Sequence, residues 1–305
     1  VPRVSVIVAA YDAEATLGAT LASVRAQTVS DWEVVVADDA SADGTAAVAT
    51  GTADPRVRVV RASENSGVSA ARNLALRHAT GELVAFLDSD DLWLPGYLEQ
   101  MIAAYDRATA IGPVGIVCCD AYLQEDDRRL DETTGDRFGR PIGTIDAETL
   151  LRFNPVHTSA LCPRAAIDEV GGFDASLRVV EDLDLWLRIA ERGLAVVYVP
   201  EPHAVYRLSD DGLSSQAVTM ARDHQRVLRR ALGRGALSPA AARVARRALR
   251  LQEAAEHVAL LREERRTSPA HAAARALVTA PLFARVALER AVAPLASPAV
   301  RSLQR

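Results

Sequence analysis

The sequence predicts an α/β fold: a mostly parallel sheet flanked by helices, followed by an all-helical C-terminal region. Three observations predict it. Short apolar runs rich in β-branched residues alternate with helical patterns through the first third of the chain. Single helices join those strands, and a parallel return needs such a crossover. From about Ala217 onward only helical patterns remain, rich in Ala and Arg. The expected division is an α/β domain over 1–215 and a helical region over 216–305.

Val4–Ala9 is the first apolar run, too short for a signal peptide, and reads as a strand. Ala13–Gln27 places Leu17, Leu21 and Val24 on one helical face, with Asp12 as the N-cap. Trp32–Ala37 is the second strand, and Asp43 caps a helix running through Val48 and Ala49. Val57–Arg61 is a strand, Ser69–His78 a helix and Leu83–Leu87 a fourth strand. Pro95 and Gly96 open a helix through Tyr105, and Val114–Cys119 is a fifth strand. Gln124–Arg140, polar and glycine-bearing, is expected to be a long loop or lid. A short strand at Ser159–Cys162 precedes a second helical stretch. Leu183–Ala190 is helical, and Ala195–Val199 and Ala204–Leu208 read as two strands. Gly233, Gly235, Pro239, Pro269, Pro281 and Pro294 break the helical pattern that follows.

Composition limits the function classes. A charged fraction of 25% and a hydrophobic fraction of 49% belong to a packed globular chain rather than a disordered one. The net charge of -5 hides an asymmetry. Val1–Ala221 carries 18 Arg against 34 acids, and Arg222–Arg305 carries 17 Arg against 6. Lysine is absent. The acidic domain argues against nucleic acid as a partner. The basic tail suits either an anionic membrane surface or the acidic domain beside it. Within it, Val278–Leu295 has the apolar and basic residues of an interfacial helix; packing on the catalytic domain or on a second subunit is the plainer reading. Cys118, Cys119 and Cys162 form no metal-spaced set and read as packed thiols, which fits a reducing compartment. The expected location is cytoplasmic, with peripheral contact at the inner face of the membrane as the tail's alternative. No apolar run reaches the length of a spanning helix.

Ligands of an open parallel sheet sit at the carboxyl ends of its strands. The second strand is followed by Asp38, Asp39 and Asp43, and the fourth by Asp88-Ser89-Asp90-Asp91, so two acid clusters fall along one sheet edge. Crowded carboxylates raise one another's pKa unless a cation neutralises them. Mg²⁺ and Mn²⁺ prefer such oxygen ligands and bridge to phosphates. In an extended segment Ser89 lets Asp88 and Asp90 point to the same side. Taken alone, an Asp-X-Asp equally describes a solvated turn in which Asp90 or Asp91 caps a helix.

Longer stretches set the context. They are Val4–Asp12, Ser23–Thr28, Val34–Ser41, Asn65–Asn73, Gly81–Asp91, Gly171–Asp174 and Glu181–Arg188. In order and spacing, over about Val4–Ser215, the chain resembles family 2 glycosyltransferases, which have the GT-A fold. The resemblance implies a nucleotide-diphospho-sugar donor, UDP or dTDP favoured, and a Mn²⁺ or Mg²⁺ cofactor. Asp39 would accept from the base N–H, and Ala9 and Tyr11 would line the nucleoside pocket. Gly67 would admit the donor to the backbone, and Arg72 would contact base or phosphate. Asp90 would ligate the metal, with Asp88 supporting the metal or the ribose and Ser89 between them. Asp182 of the Glu181-Asp182 pair would be the general base of an inverting transfer. His157 and Gly172 match acceptor-side segments. Tyr11 as core filler and Arg72 on a solvated helix face are the alternatives.

One position departs from the pattern: Ser209 stands where members often carry a histidine that helps hold the metal, and His203 and His157 are the nearest in sequence. Two other functions compete. A nucleotidyltransferase usually opens with a glycine-rich phosphate loop, where this chain has Ala9-Ala10-Tyr11-Asp12-Ala13-Glu14. A catalytically silent sugar-nucleotide-binding protein is the third reading. The acceptor, whether saccharide, lipid-linked or small molecule, is not encoded in any motif.

Overall fold

The computed structural model describes residues 1–126, 128–141, 145–157, 159–208 and 216–267 of the 305-residue chain. The first half follows the expected alternation: β1 (Val4–Ala10), α1 (Leu17–Arg25), β2 (Trp32–Asp38), α2 (Thr45–Gly51), β3 (Val57–Arg61), α3 (Val68–His78) and β4 (Leu83–Phe86). There follow β5 (Leu92–Trp93), α4 (Tyr97–Thr109), β6 (Val114–Glu125), β7 (Arg128–Thr133), α5 (Thr134–Phe138) and α6 (Ala147–Arg152). The remainder is β8 (Ala160–Pro163), α7 (Arg164–Val170), α8 (Glu181–Ala190), β9 (Ala195–Leu208), α9 (Ala217–Arg234) and α10 (Pro239–Thr267).

All these strands join one sheet in the order β3-β2-β1-β4-β8-β6-β9-β5, with β7 paired to β6. The β3-β2-β1-β4 half is parallel throughout. Beyond it β8 runs antiparallel to β4 and β6, β9 parallel to β6, and β5 antiparallel to β9. Both faces are covered, which explains why the strands read as continuous apolar runs. Successive residues point to opposite faces: Ile7, Val35 and Phe86 enter a core shared with Trp186 and Phe173. Val6, Val8, Val34 and Val36 enter one shared with Leu17, Leu21 and Met101. Phe86 and Phe173 meet edge to face, with ring centroids 5.2 Å apart.

Several expectations are corrected. α1 begins at Leu17, not after Asp12, because Asp12 takes a left-handed backbone (φ 47°) and spends its carboxylate on the Ala42 N–H, 2.8 Å away. Gln124–Arg140 is no loop: β6 runs to Glu125, β7 returns along it, and α5 follows. A reciprocal capping box starts that helix, Thr133 Oγ1 accepting from the Asp136 N–H and Asp136 from the Thr133 N–H. The two expected strands at Ala195–Val199 and Ala204–Leu208 are one, β9, whose register against β6 shifts at Asp120. α6, opened by the Asp146 side chain, and the short β5 were not anticipated.

α9 ends where Gly235 turns left-handed (φ 69°), and α10 starts on Pro239, whose missing N–H is no loss at a first helical position. α9 packs on α8, and α10 packs on α9 and α6. Part of the basic charge meets the acidic domain directly, as Arg230 pairs with Asp174, and Arg234 with Glu191 at 2.6 Å. No described helix is long and apolar enough to cross a membrane. Ser209 and the Val278–Leu295 segment lie outside the described residues.

Candidate active site

The parallel half of the sheet delivers the first set of side chains. At the end of β1 Ala9 is part-buried, while Tyr11 is 51% exposed and so is not core filler. At the end of β2, buried Asp38 accepts from the Ser41 N–H at 2.9 Å and lies 3.1 Å from Arg61. Its neighbour Asp39 accepts from the N–H groups of Ser66 (3.0 Å) and Gly67 (2.7 Å). The carboxylate thereby fixes the turn that starts α3. Gly67 needs a positive φ, 89°, and a Cβ there would meet nothing within 4 Å. Glycine is required by the positive φ rather than by crowding.

The second set follows β4. The Thr20 hydroxyl lies 2.9 Å from the carbonyl oxygens of both Ser89 and Asp91, clamping the turn from α1. Asp91 is buried and accepts from the Arg207 N–H at 2.9 Å, which ties the turn to β9. Burial, then the adjacent Asp88 charge, push Asp90 up to about 6. Burial and both neighbours raise Asp91 well above the carboxylate range. The charges of Arg207 and Arg72 offset only part of this rise at Asp90. Among the described residues no group of three or more His, Cys, Asp or Glu forms a ready metal cage. The cluster nevertheless fits Mg²⁺ or Mn²⁺, which such sites bind through one or two carboxylates and take the rest from phosphate and water.

Arg72 connects this turn to α8. It is 3% exposed, which removes the solvated-face reading. Its two terminal nitrogens lie 2.5 Å from Asp88 Oδ1 and 2.5 Å from Glu181 Oε1. Burial opposes its charge, yet Asp88 and Glu181 more than offset that and raise the guanidinium pKa. Arg72 also sits over the Phe173 ring at 5.3 Å.

Next to Glu181, Asp182 occupies the first turn of α8. The residue before the helix, Val180, is left-handed (φ 53°, ψ 22°), a strained conformation for a β-branched side chain. Asp182 Oδ1 accepts from the Leu183 N–H at 2.6 Å, and Oδ2 lies 3.3 Å from Asn154 Nδ2. Burial first, then the Glu181 charge, push Asp182 up to about 7, against the opposing pulls of the Leu183 N–H and Arg72.

Asp182 opens onto a cleft of about 190 Å³ shared with Phe138, Asn154, His157, Tyr198 and Tyr206. His157 Nε2 lies 2.9 Å from the Cys119 carbonyl oxygen, which can only accept, so this nitrogen carries the proton. Burial lowers the ring's pKa and keeps it neutral. Tyr206 borders both halves of the site, since burial and then Asp91, Asp88, Asp90 and Asp182 raise its phenol. Gly172 lies elsewhere: it lines a separate depression with Arg188, Arg230 and Arg234, and its carbonyl accepts from Arg188 at 2.8 Å.

Sequence reasoning missed Asn154, Tyr198 and Asp120. Asp120 is fully buried in β6 and accepts from Thr133 Oγ1 (2.8 Å), Thr134 Oγ1 (2.7 Å) and the Gly135 N–H (2.8 Å). It anchors α5, which forms one wall of the cleft. An aspartate directly after the apolar Val117-Cys118-Cys119 run was the available signal.

The sequence profile of glycosyl transferase family 2 matches residues 5–171. The chain belongs to that family. Its activity is glycosyl transfer. TuaG of Bacillus subtilis, named for teichuronic acid biosynthesis, is 32% identical over 220 residues, 70% of this chain and 82% of its own length. The Escherichia coli enzyme WfgD, named as a UDP-Glc:alpha-D-GlcNAc-diphosphoundecaprenol beta-1,3-glucosyltransferase, is 41% identical over 100 residues, 33% of this chain and 40% of its own. Among solved structures, S. aureus TarS 1-349 with UDP-GlcNAc superposes with a TM-score of 0.65 at 19% identity, covering 84% of this chain and 73% of TarS 1-349. The mannosyltransferase PcManGT from Pyrobaculum calidifontis, solved with GDP-Man and Mn2+, gives 0.63 at 24% identity, covering 95% and 84%. This glycosyltransferase therefore has the GT-A fold expected from its motifs.

Proposed function

We propose that this glycosyltransferase inverts the anomeric centre of a nucleotide-diphospho-sugar, UDP- or dTDP-linked, in transferring the sugar to an acceptor hydroxyl, with Asp182 as the general base. The observation that carries the reading is the placement of Asp182. It is a part-buried carboxylate raised to about 7, facing a cleft and joined through Glu181 and Arg72 to the Asp88-Ser89-Asp90 turn. A base with a pKa near the working pH combines adequate ionisation with adequate proton affinity. Asp182 takes the acceptor's hydroxyl proton as that oxygen bonds to the anomeric carbon, and the bond from that carbon to the diphosphate oxygen breaks. Asp90 and Asp88 would hold Mn²⁺ or Mg²⁺, which supplies neutralisation of the departing diphosphate.

Arg72 holds the Glu181 carboxylate in an ion pair, and of the two neighbouring acids it is Asp182 that lines the cleft. Asp39, Ala9, Tyr11 and Gly67 lie at the ends of β1 and β2 and at the start of α3, where a nucleoside would bind with its flat ring against exposed Tyr11. Phe138, Tyr198 and Tyr206 give the acceptor cleft aromatic surfaces of the kind that pack against a sugar ring. His157, neutral and with its Nε2 proton engaged, leaves Nδ1 as an acceptor for a hydroxyl. The UDP-glucose named for WfgD supports the donor class.

The deciding experiment is a nucleotide-sugar panel with mass detection, following nucleoside diphosphate release with and without saccharide acceptors. NMR of the product then gives its anomeric configuration. Acceptor-dependent release and inversion are expected. Binding without release would establish the silent binding protein instead, and retained configuration would overturn single displacement.

A further inference from the structure

The α9 helix stands outside the matched family profile, yet one of its faces is written onto the turn that leads into the catalytic pair. Asp223, Arg226 and Arg230 recur at helical spacing and so share that face. Asp223 is 2% exposed, and its Oδ2 accepts from the backbone N–H groups of Arg178 (2.8 Å) and Val179 (3.3 Å). Its Oδ1 accepts from Arg226 Nη1 at 2.9 Å, and the same nitrogen lies 3.4 Å from the Ser176 carbonyl oxygen. Arg230 pairs with Asp174 and reaches the Ser176 hydroxyl at 3.2 Å. From the opposite side, the Ser69 hydroxyl of α3 donates to the Leu177 carbonyl at 3.0 Å. The 174–179 turn is thus held at both backbone and side chain, and its backbone bonds to Asp223 lie one residue short of left-handed Val180.

We propose that this face of α9 is a positioning clamp for glycosyl transfer: Asp223, braced by Arg226 and Arg230, holds the 178–180 backbone and so fixes where α8 presents Asp182. The inference rests on Asp182 being the base. A left-handed β-branched residue persists only when its surroundings over-determine it. Here most of the bonds to the turn before it come from α9, with the Ser69 hydroxyl of α3 holding Leu177 from the other side. A buried carboxylate on two backbone amides also cannot be dropped lightly, because the amides would lose their partner inside the protein. Displacement of a reacting group by about 1 Å can lower turnover by about 100-fold, so the clamp has leverage without touching substrate.

The test uses the full chain and two variants: Asp223→Ala, and Arg226→Ala combined with Arg230→Ala at half-exposed positions that the fold tolerates. Each is followed by kcat, donor KM, the acidic limb of the kcat–pH profile and Tm, with Asp182→Asn alongside. Both variants should lose at least about tenfold in kcat at saturating donor while donor KM moves less than about threefold. Their acidic limb should move to lower pH, because a loosened turn admits water to Asp182 and relieves its burial. Asp223→Asn, which keeps an oxygen for the two amides, should recover most of kcat. A loss confined to Tm, with kcat and the limb unchanged in either folded variant, would make the clamp merely structural. Near-normal kcat in Asp182→Asn is the separate result that removes the base itself, and the clamp's catalytic role falls with it.

Discussion

Arg72 and Glu181 meet at 2.5 Å beneath the site, and the same guanidinium reaches Asp88 at an equal distance, so one buried cation serves both the turn after β4 and the start of α8. A planar fork can serve two carboxylates at once, whereas an ammonium is a point charge. Arg72→Lys should therefore retain one pairing and lose the other, lowering kcat by on the order of 10–100-fold. Arg72→Ala, which leaves both acids without their cation, should cost about 3–5 kcal/mol of stability at neutral pH, measured by denaturant titration. Unchanged stability would show that water already compensates the acids.

The pH profile tests the proposal that Asp182 is the base. Its raised pKa means the carboxyl is protonated, and unable to accept, below about 7. Turnover should rise with pH on a limb centred near 7, and Asp182→Asn should remove the limb while lowering kcat by about 10²–10⁴-fold. Stability should move the other way. The folded carboxyl binds its proton more tightly than the unfolded one, so ionising it destabilises the fold progressively from about pH 4 to 7. Asp182→Asn should consequently have a higher Tm than the parent at pH 8 and an equal one near pH 3.5.

Asp90→Ala, at a strand end and free of any role in the core, should leave the fold intact and abolish turnover. Chelation should do the same to the parent enzyme, with recovery on adding Mn²⁺ or Mg²⁺. Full activity in chelator would remove the metal from the mechanism.

The proposal that Asp39 reads a pyrimidine base is testable by calorimetry with Mn²⁺ present. UDP or dTDP should bind at least about tenfold, roughly 1.4 kcal/mol, more tightly than GDP. Asp39 already accepts from Ser66 and Gly67, so the informative change is Asp39→Asn, which keeps an acceptor for those amides. Tighter GDP binding, in keeping with the GDP-Man held by PcManGT, would reassign the base.

Where the sequence was legible, a single physical signal dominated. β1, β2 and β4 are covered on both faces, so Val4–Ala10 and Val34–Val36 show as uninterrupted apolar runs. Gly235 and Pro239 punctuate the helices where their backbones demand it. Misreadings fell where tertiary contacts overrule local pattern. Pro200-Glu201-Pro202 looks like a strand break, yet β9 continues across it by slipping register on β6. Asp12 has an N-cap's chemistry but is engaged by the neighbouring loop. The Thr133–Asp136 capping box was present in the sequence and was hidden by the polarity around it. At the site, the Asp-rich turns were visible as clusters. The bridging by Arg72 joins residues 109 apart in the chain, and the cleft gathers Asn154, Tyr198 and Tyr206 from separate elements.

The three thiols offer a built-in reporter of how this sheet comes apart. Cys118, Cys119 and Cys162 are free and fully buried, and that burial raises their pKa values above the usual thiol range, Cys119 to about 12. Cys118 and Cys162 sit in the core on one face of the sheet and Cys119 in the core on the other. A pulse of alkylating reagent therefore reads nothing from the native state. Its time course separates detachment of the layer carrying α8 from detachment of the layer carrying α1 and α4, with neither a fluorophore nor an engineered residue.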